Sequence, residues 1–182
     1  MKKKNLLFFY FLFLFSCSKS VNEFDLNNED GVWTRNGKKY TGNVYRIIKE
    51  KKIKLGKMKK GIKIGQWIEY GRLIYRTGNY NSGQRTGKWE GWYEDSKKAY
   101  LGFYSEDLKT GLWEGWNKNG NLSYRGFFKD GIKDSSWIYW YENGNVSDSG
   151  KYSQNNMVGY WKFYNTEGIL VEEKNFDLVK GN

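Results

Sequence analysis

Residues 135–158 read SSWIYWYENGNVSDSGKYSQNNMV. Trp137 to Tyr141, WIYWY, is composed of strand formers. Asn143-Gly144 follows, the dipeptide that most favours a two-residue type I′ turn. Val146 to Tyr152 supplies a return strand, so the segment predicts a β-hairpin. Folded about Asn143-Gly144, it sets Trp137 opposite Gly150, Tyr139 opposite Asp148 and Tyr141 opposite Val146.

The same pattern extends in both directions. Trp67, Trp89, Trp113, Trp137 and Trp161 recur at intervals of 22, 24, 24 and 24 residues. A block with Val44 at the Trp position precedes them, so six units cover 42–64, 65–86, 87–110, 111–134, 135–158 and 159–182. A fixed period of this length marks an array of supersecondary units. The expected fold is all-β: tandem β-hairpins in an elongated antiparallel meander of about twelve strands, two for each repeat. Asp95-Ser96 replaces Asn-Gly in one unit, and Lys174 stands where the others carry Gly.

The predicted register sets Trp67, Trp89, Trp113 and Trp137 opposite Gly78, Gly102, Gly126 and Gly150, a ring covering a bare strand position. Tyr80, Tyr104, Phe128, Tyr152 and Phe176 fall on the same side. The Trp residues and these glycines are therefore expected to be structural. Side chains alternate along a strand. Tyr70, Trp92, Trp116, Trp140 and Tyr164, three residues after each Trp, are expected on the other face among Glu90, Glu114, Ser123, Arg125, Ser147 and Lys162. They form a candidate binding ladder with rungs roughly 10 Å apart.

Composition agrees with a thin, ring-filled sheet. Of 182 residues, 19% are aromatic, 22 are Gly and none is Pro. His is absent and Cys occurs once. This removes Ser–His–Asp and Cys–His chemistry and any intrachain disulfide. No cofactor or metal site is expected. The formal charge is +11, or +8 once Lys2, Lys3 and Lys4 are set aside, which favours anionic partners or serves solubility.

Met1 to Cys17, MKKKNLLFFYFLFLFSC, runs basic, then apolar, then small. That is the order of a signal peptide, and the apolar run is too short to span a bilayer. Leu14-Phe15-Ser16-Cys17 resembles the lipobox of bacterial lipoproteins. That resemblance implies removal of residues 1–16 and a lipidated Cys17, with Ser18 next favouring an outer membrane where the cell has one. Residues 17–41 are then a lipidated leader and N-terminal cap.

Units of the form G-x-W-x-x-[WY]-x-x-x-G, followed by a strand ending in G-x-[YF], resemble MORN repeats in their longer bacterial variant. The likeness covers Gly42 to Asn182, together with Asn36 to Gly42. It implies hairpin arrays that bind or scaffold, and some members are labelled antitoxin components. The function expected is a non-catalytic protein at the cell envelope, held to the membrane by its lipid, with a protein or glycan partner. The alternative is an antitoxin- or immunity-like protein that neutralises a partner toxin. Glu172-Glu173 offers paired carboxylates, but reads as a solvated strand edge. Basic charge with aromatic rings also suits single-stranded nucleic acid; export argues against that partner.

Overall fold

The computed structural model describes residues 19–177. The proposed signal segment and Cys17 lie outside the described residues. The chain is all-β. After a short strand β1 (Ser20–Asn22) and a 3-10 turn (Glu23–Asp25) come β2 (Asn27–Glu29), β3 (Val32–Arg35) and β4 (Lys38–Lys39). Twelve strands follow: β5 (Gly42–Ile48), β6 (Lys51–Lys59), β7 (Ile62–Tyr70), β8 (Ile74–Asn81), β9 (Gln84–Tyr93), β10 (Lys98–Ser105), β11 (Leu108–Trp116), β12 (Leu122–Lys129), β13 (Ile132–Trp140), β14 (Val146–Ser153), β15 (Asn156–Tyr164) and β16 (Leu170–Asn175). From β5 to β16 each strand pairs antiparallel with the next, forming an open meander. β1 adds in parallel to β5, and β2–β4 make a separate small sheet.

The register places Trp67, Trp89, Trp113 and Trp137 against Gly78, Gly102, Gly126 and Gly150, as the sequence suggests. The turns fall differently. Two-residue turns with left-handed φ at both positions join the units: Lys60-Gly61, Ser82-Gly83, Glu106-Asp107, Asp130-Gly131 and Gln154-Asn155. Their twist matches that of the flanking strands. Asn143-Gly144 instead lies in a three-residue loop, closed by Tyr141 N–H on Asn145 O and Gly144 N–H on Tyr141 O. Only Gly144 is left-handed there, with φ 91°. One residue, Ser147, then bulges out of β14, so Trp140 rather than Tyr141 meets Val146.

A second irregularity lets the rings pack. Each first strand carries an extra bulge two residues before its Trp, at Gly65, Gly87, Gly111, Ser135 and Gly159, all left-handed. The bulge shifts each indole back across the preceding strand. Its ring lies on the glycine of the preceding unit rather than of its own hairpin. A Cβ on Gly56, Gly78, Gly102, Gly126 or Gly150 would overlap the ring of Trp67, Trp89, Trp113, Trp137 or Trp161 respectively. The Nε1–H of Trp89, Trp113, Trp137 and Trp161 donates to the carbonyl one residue beyond that glycine, at 3.0–3.2 Å. These carbonyls lie beside the ladder's register shifts, so the indole satisfies backbone groups released by the bulge.

Rings then continue from unit to unit. Trp67, Tyr80, Trp89, Tyr104, Trp113, Phe128, Trp137, Tyr152 and Trp161 follow one another edge to face, with centroids 5.1–6.2 Å apart. This is the favoured aromatic geometry, and the five Trp side chains are buried. Aliphatic packing is concentrated at the N-terminal end. There Val21, Leu26, Tyr40, Val44, Leu55, Met58 and Trp67 form a cluster under the small sheet, with Trp33 against it. The small sheet docks on the Lys60-Gly61 turn through Trp33 N–H to Gly61 O and Gly61 N–H to Tyr40 O.

Candidate binding face

Tyr70, Trp92, Trp116, Trp140 and Tyr164 sit at or near the ends of β7, β9, β11, β13 and β15, and all are half-buried. The structure brings them into one row across the sheet. For Trp92, Trp116, Trp140 and Tyr164 a place on the face opposite the buried indoles follows from alternation and, for the first two, from Lys98. Tyr70, at the start of the row, instead packs against the N-terminal cluster, with Arg46 Cζ 5.0 Å from its ring centroid. The Lys98 Nζ lies 3.1 Å from the Glu90 carboxylate, and 5.2 and 5.7 Å from the ring centroids of Trp92 and Trp116. One ammonium thus bridges two successive rungs.

The row's immediate neighbours are not the polar residues expected. Four return strands bulge by one residue just after the hairpin turn, at Ala99, Ser123, Ser147 and Val171, while β8 pairs with β7 without a bulge. The partners set between rungs are therefore Tyr75, Lys98, Leu122, Val146 and Leu170. Tyr70 and Tyr75 touch, with centroids 5.8 Å apart. The face thus carries a mainly apolar band, interrupted by one cation.

The polar residues form a second row alongside. Arg125 pairs with Glu114 at 2.6 Å, and Lys162 lies 3.9 Å from Glu173. Partial desolvation works to raise the Glu90 pKa, but hydrogen bonds from Lys88 and Lys98 outweigh it and hold the carboxyl below its ordinary range. Each of these carboxylates is matched to a cation, which makes this row a fixed, charge-paired surface. Glu172 and Glu173 lie on the exposed edge strand β16. No group of three or more metal-ligating side chains occurs among the described residues. No helix among them is long and apolar enough to cross a membrane.

Sequence reasoning missed a row of cations on the indole face. Lys63, Arg85, Lys109 and Lys133 each stand four residues before a Trp. Lys63 Nζ is 4.8 Å from the Trp67 centroid, Arg85 Cζ 4.1 Å from that of Tyr104, Lys109 Nζ 4.3 Å from that of Trp113, and Lys133 Nζ 4.6 Å from that of Trp137. Each lies over the edge-to-face rings as a cation–π cover. The even spacing was the available signal. Burial, with Arg85 and Lys133 nearby, lowers the Lys109 pKa from the ordinary lysine range.

Fold and face together define an open tandem-hairpin sheet with one ring-filled face and one banded face. Among known proteins, no family model and no curated protein matches this chain.

Proposed function

We propose that this chain is a non-catalytic binding or scaffold protein of the cell envelope, anchored through a lipidated Cys17, whose banded face takes an extended protein or glycan partner. The observation that carries this reading is the half-buried row of Tyr70, Trp92, Trp116, Trp140 and Tyr164, repeated once per unit across five units. Repeat arrays characteristically offer such elongated contact surfaces. Half-buried aromatic side chains supply contact area at small conformational cost. The likeness to MORN repeats points the same way, and the lipobox-like Leu14 to Cys17 supports the anchor. With Ser18 next, the expected address is the outer membrane, where the cell has one.

The test compares wild type with Trp92→Ala, Trp116→Ala and Trp140→Ala. Binding is read on glycan arrays and against purified envelope proteins, and denaturation is measured beside it. Binding lost from variants that stay folded supports the reading. Unchanged binding, or loss of fold equal to that of Trp113→Ala, overturns it. The anchor is checked separately, by incorporation of a fatty-acid analogue into wild type but not into Cys17→Ala.

A further inference from the structure

The four cations that cover the rings are not equally matched. Lys63, Arg85, Lys109 and Lys133 hold equivalent places in successive units. Each has two positions from which a polar partner can come: six residues on in its own strand, and the turn at the next unit junction. Lys63 uses the first, pairing with Glu69. Lys133 uses both. Its Nζ donates to Tyr139 Oη at 2.6 Å, and its main-chain N–H to Asn155 Oδ1 at 2.7 Å. Arg85 uses the second. Asp107 Oδ1 accepts from the Arg85 main-chain N–H at 3.1 Å and from its Nε–H at 2.8 Å. For Lys109 both positions are glycine, Gly115 and Gly131.

The junctions share one backbone frame. Gly131 N–H donates to the Lys109 carbonyl at 2.9 Å, as Asp107 N–H does to that of Arg85 at 3.1 Å and Asn155 N–H to that of Lys133 at 3.0 Å. Asp107 and Asn155 bring a side-chain oxygen to the N–H two strands' end away; Gly131 brings none. The Gly115 side is closed, because a Cβ there would overlap the Tyr124 ring. The Gly131 side is open. A Cβ there would meet only Leu108, with Cδ2 at 3.4 Å, and Leu108 is 48% exposed. Lys109 makes no ion pair among the described residues. Burial, with Arg85 and Lys133 on either side, disfavours its charge, and an anion placed on it would relieve that cost.

We infer that Lys109 and the Gly131 turn form a seat for one carboxylate group of an acidic partner protein, an Asp or Glu side chain that takes the place Asp107 holds in the preceding unit. The chain's own carboxylate defines the ligand class. One Asp107 oxygen meets a main-chain N–H and a side-chain cation together, and both donors recur at Lys109. Hydrogen bonds of this charge-assisted kind are roughly twice as strong as neutral ones. Because the template is an aspartate on a peptide turn, a protein loop reproduces it directly. The seat lies on the indole face, so this contact needs neither the banded face nor the lipid anchor.

The test follows the main-chain amide signals of the full chain by NMR, in zwitterionic micelles. The probe is a blocked Gly-Asp-Gly peptide, compared with its Gly-Asn-Gly counterpart and with glucuronate. The aspartate peptide is expected to shift the Lys109 amide saturably, several-fold more than the Arg85 amide, whose seat Asp107 fills. Gly131→Asp copies the preceding unit and abolishes the shift. Asp107→Gly opens a second seat, and the Arg85 amide then responds. Both substitutions suit their turns, since Asp107 and Gly131 share left-handed φ, at 68° and 85°. No saturable shift at Lys109 overturns the inference. So does a shift that survives Gly131→Asp, or one that the asparagine peptide gives equally. Tighter binding of glucuronate than of the aspartate peptide overturns the assignment to a protein partner.

Discussion

Trp113 illustrates how this sheet is held. Its ring covers Gly102 of the preceding unit, its Nε1–H reaches the Phe103 carbonyl at 3.1 Å, and Tyr104 and Phe128 meet it edge to face on either side. Removing the ring by Trp113→Ala should cost about 3–5 kcal/mol in chemical denaturation. Gly102→Ala places a methyl where the ring lies, and should cost about 1–3 kcal/mol. The coupling is the sharper test. In a Trp113→Ala background, Gly102→Ala should cost almost nothing, because the clash has gone. Simple additivity of the two would contradict the observed contact. Tyr100 adds a pH dependence. It stacks on Trp113 with centroids 5.7 Å apart, and burial pushes its hydroxyl up to about 12. An unfolded tyrosine ionises near pH 10. A raised folded value means that stability is complete below about pH 10 and is lost as pH rises through about 12. Alkaline melts of wild type should fall across that window, and those of Tyr100→Phe should fall less. Equal slopes for the two would exclude Tyr100 as a contributor.

At the level of the hairpin, the sequence is informative about what repeats and uninformative about where the backbone departs from regularity. The spacing of Trp and Gly identifies the unit, its two strands and their register, because ring-over-glycine contacts need fixed residue types. The turns were harder to read. Left-handed φ is taken at the junctions by Glu106-Asp107 and Gln154-Asn155 as well as by Asp130-Gly131. Side chains bonded to the facing strand help hold some of these, as when Lys133 N–H donates to Asn155 Oδ1 at 2.7 Å. Asn-Gly, the strongest local signal, was captured by a three-residue loop instead. The bulges at Ala99, Ser123 and Ser147 carry no composition cue, so the apolar fillers Leu122 and Val146 of the candidate face were hidden. Ser135 is the one non-glycine at its left-handed bulge position, with φ 58°, an identity that nothing in the structure explains. Units contact mainly their neighbours, so deleting Gly111 to Asp134 should leave a folded, shorter array. In the deletion, Trp137 inherits Gly102 as its seat. Circular dichroism should remain that of β-sheet. Collapse to an unfolded spectrum would show that the array is one indivisible core.

Across the whole molecule the two ends differ. The first unit is basic, and the small sheet and the chain's main aliphatic cluster close it off. The cluster draws on residues from 21 to 67, and the repeat pattern concealed it because Val21 and Leu26 precede the first unit. Among the described residues the far end is the edge strand β16, where Leu170 and Val171 are 48% and 62% exposed and Glu172, Glu173 and Lys174 follow them in sequence. Charged residues on an open edge discourage pairing with another strand. Dilute solutions of residues 19–182 should therefore sediment as monomers. Val171 with Glu173→Val and Lys174→Val should associate, as read by analytical ultracentrifugation.

Because every indole rests on the unit before it, the array is laid like roof tiles, each course overlapping the one below. A copy of an internal unit inserted between two others brings both its own tile and the bare spot for the next, so length within the array is free to drift by duplication. The last course is different. Lys174 faces Trp161 in the ladder where every earlier return strand of the Trp units has glycine, and no further indole could be seated over it. A copy of 111–134 appended after Asn182, which keeps the eleven-residue spacing from position 174 to the next Trp, should hang loose and be cut early by protease. With Lys174→Gly it should tile on and resist. One lysine thus makes the finished edge of a structure that could otherwise be extended without limit.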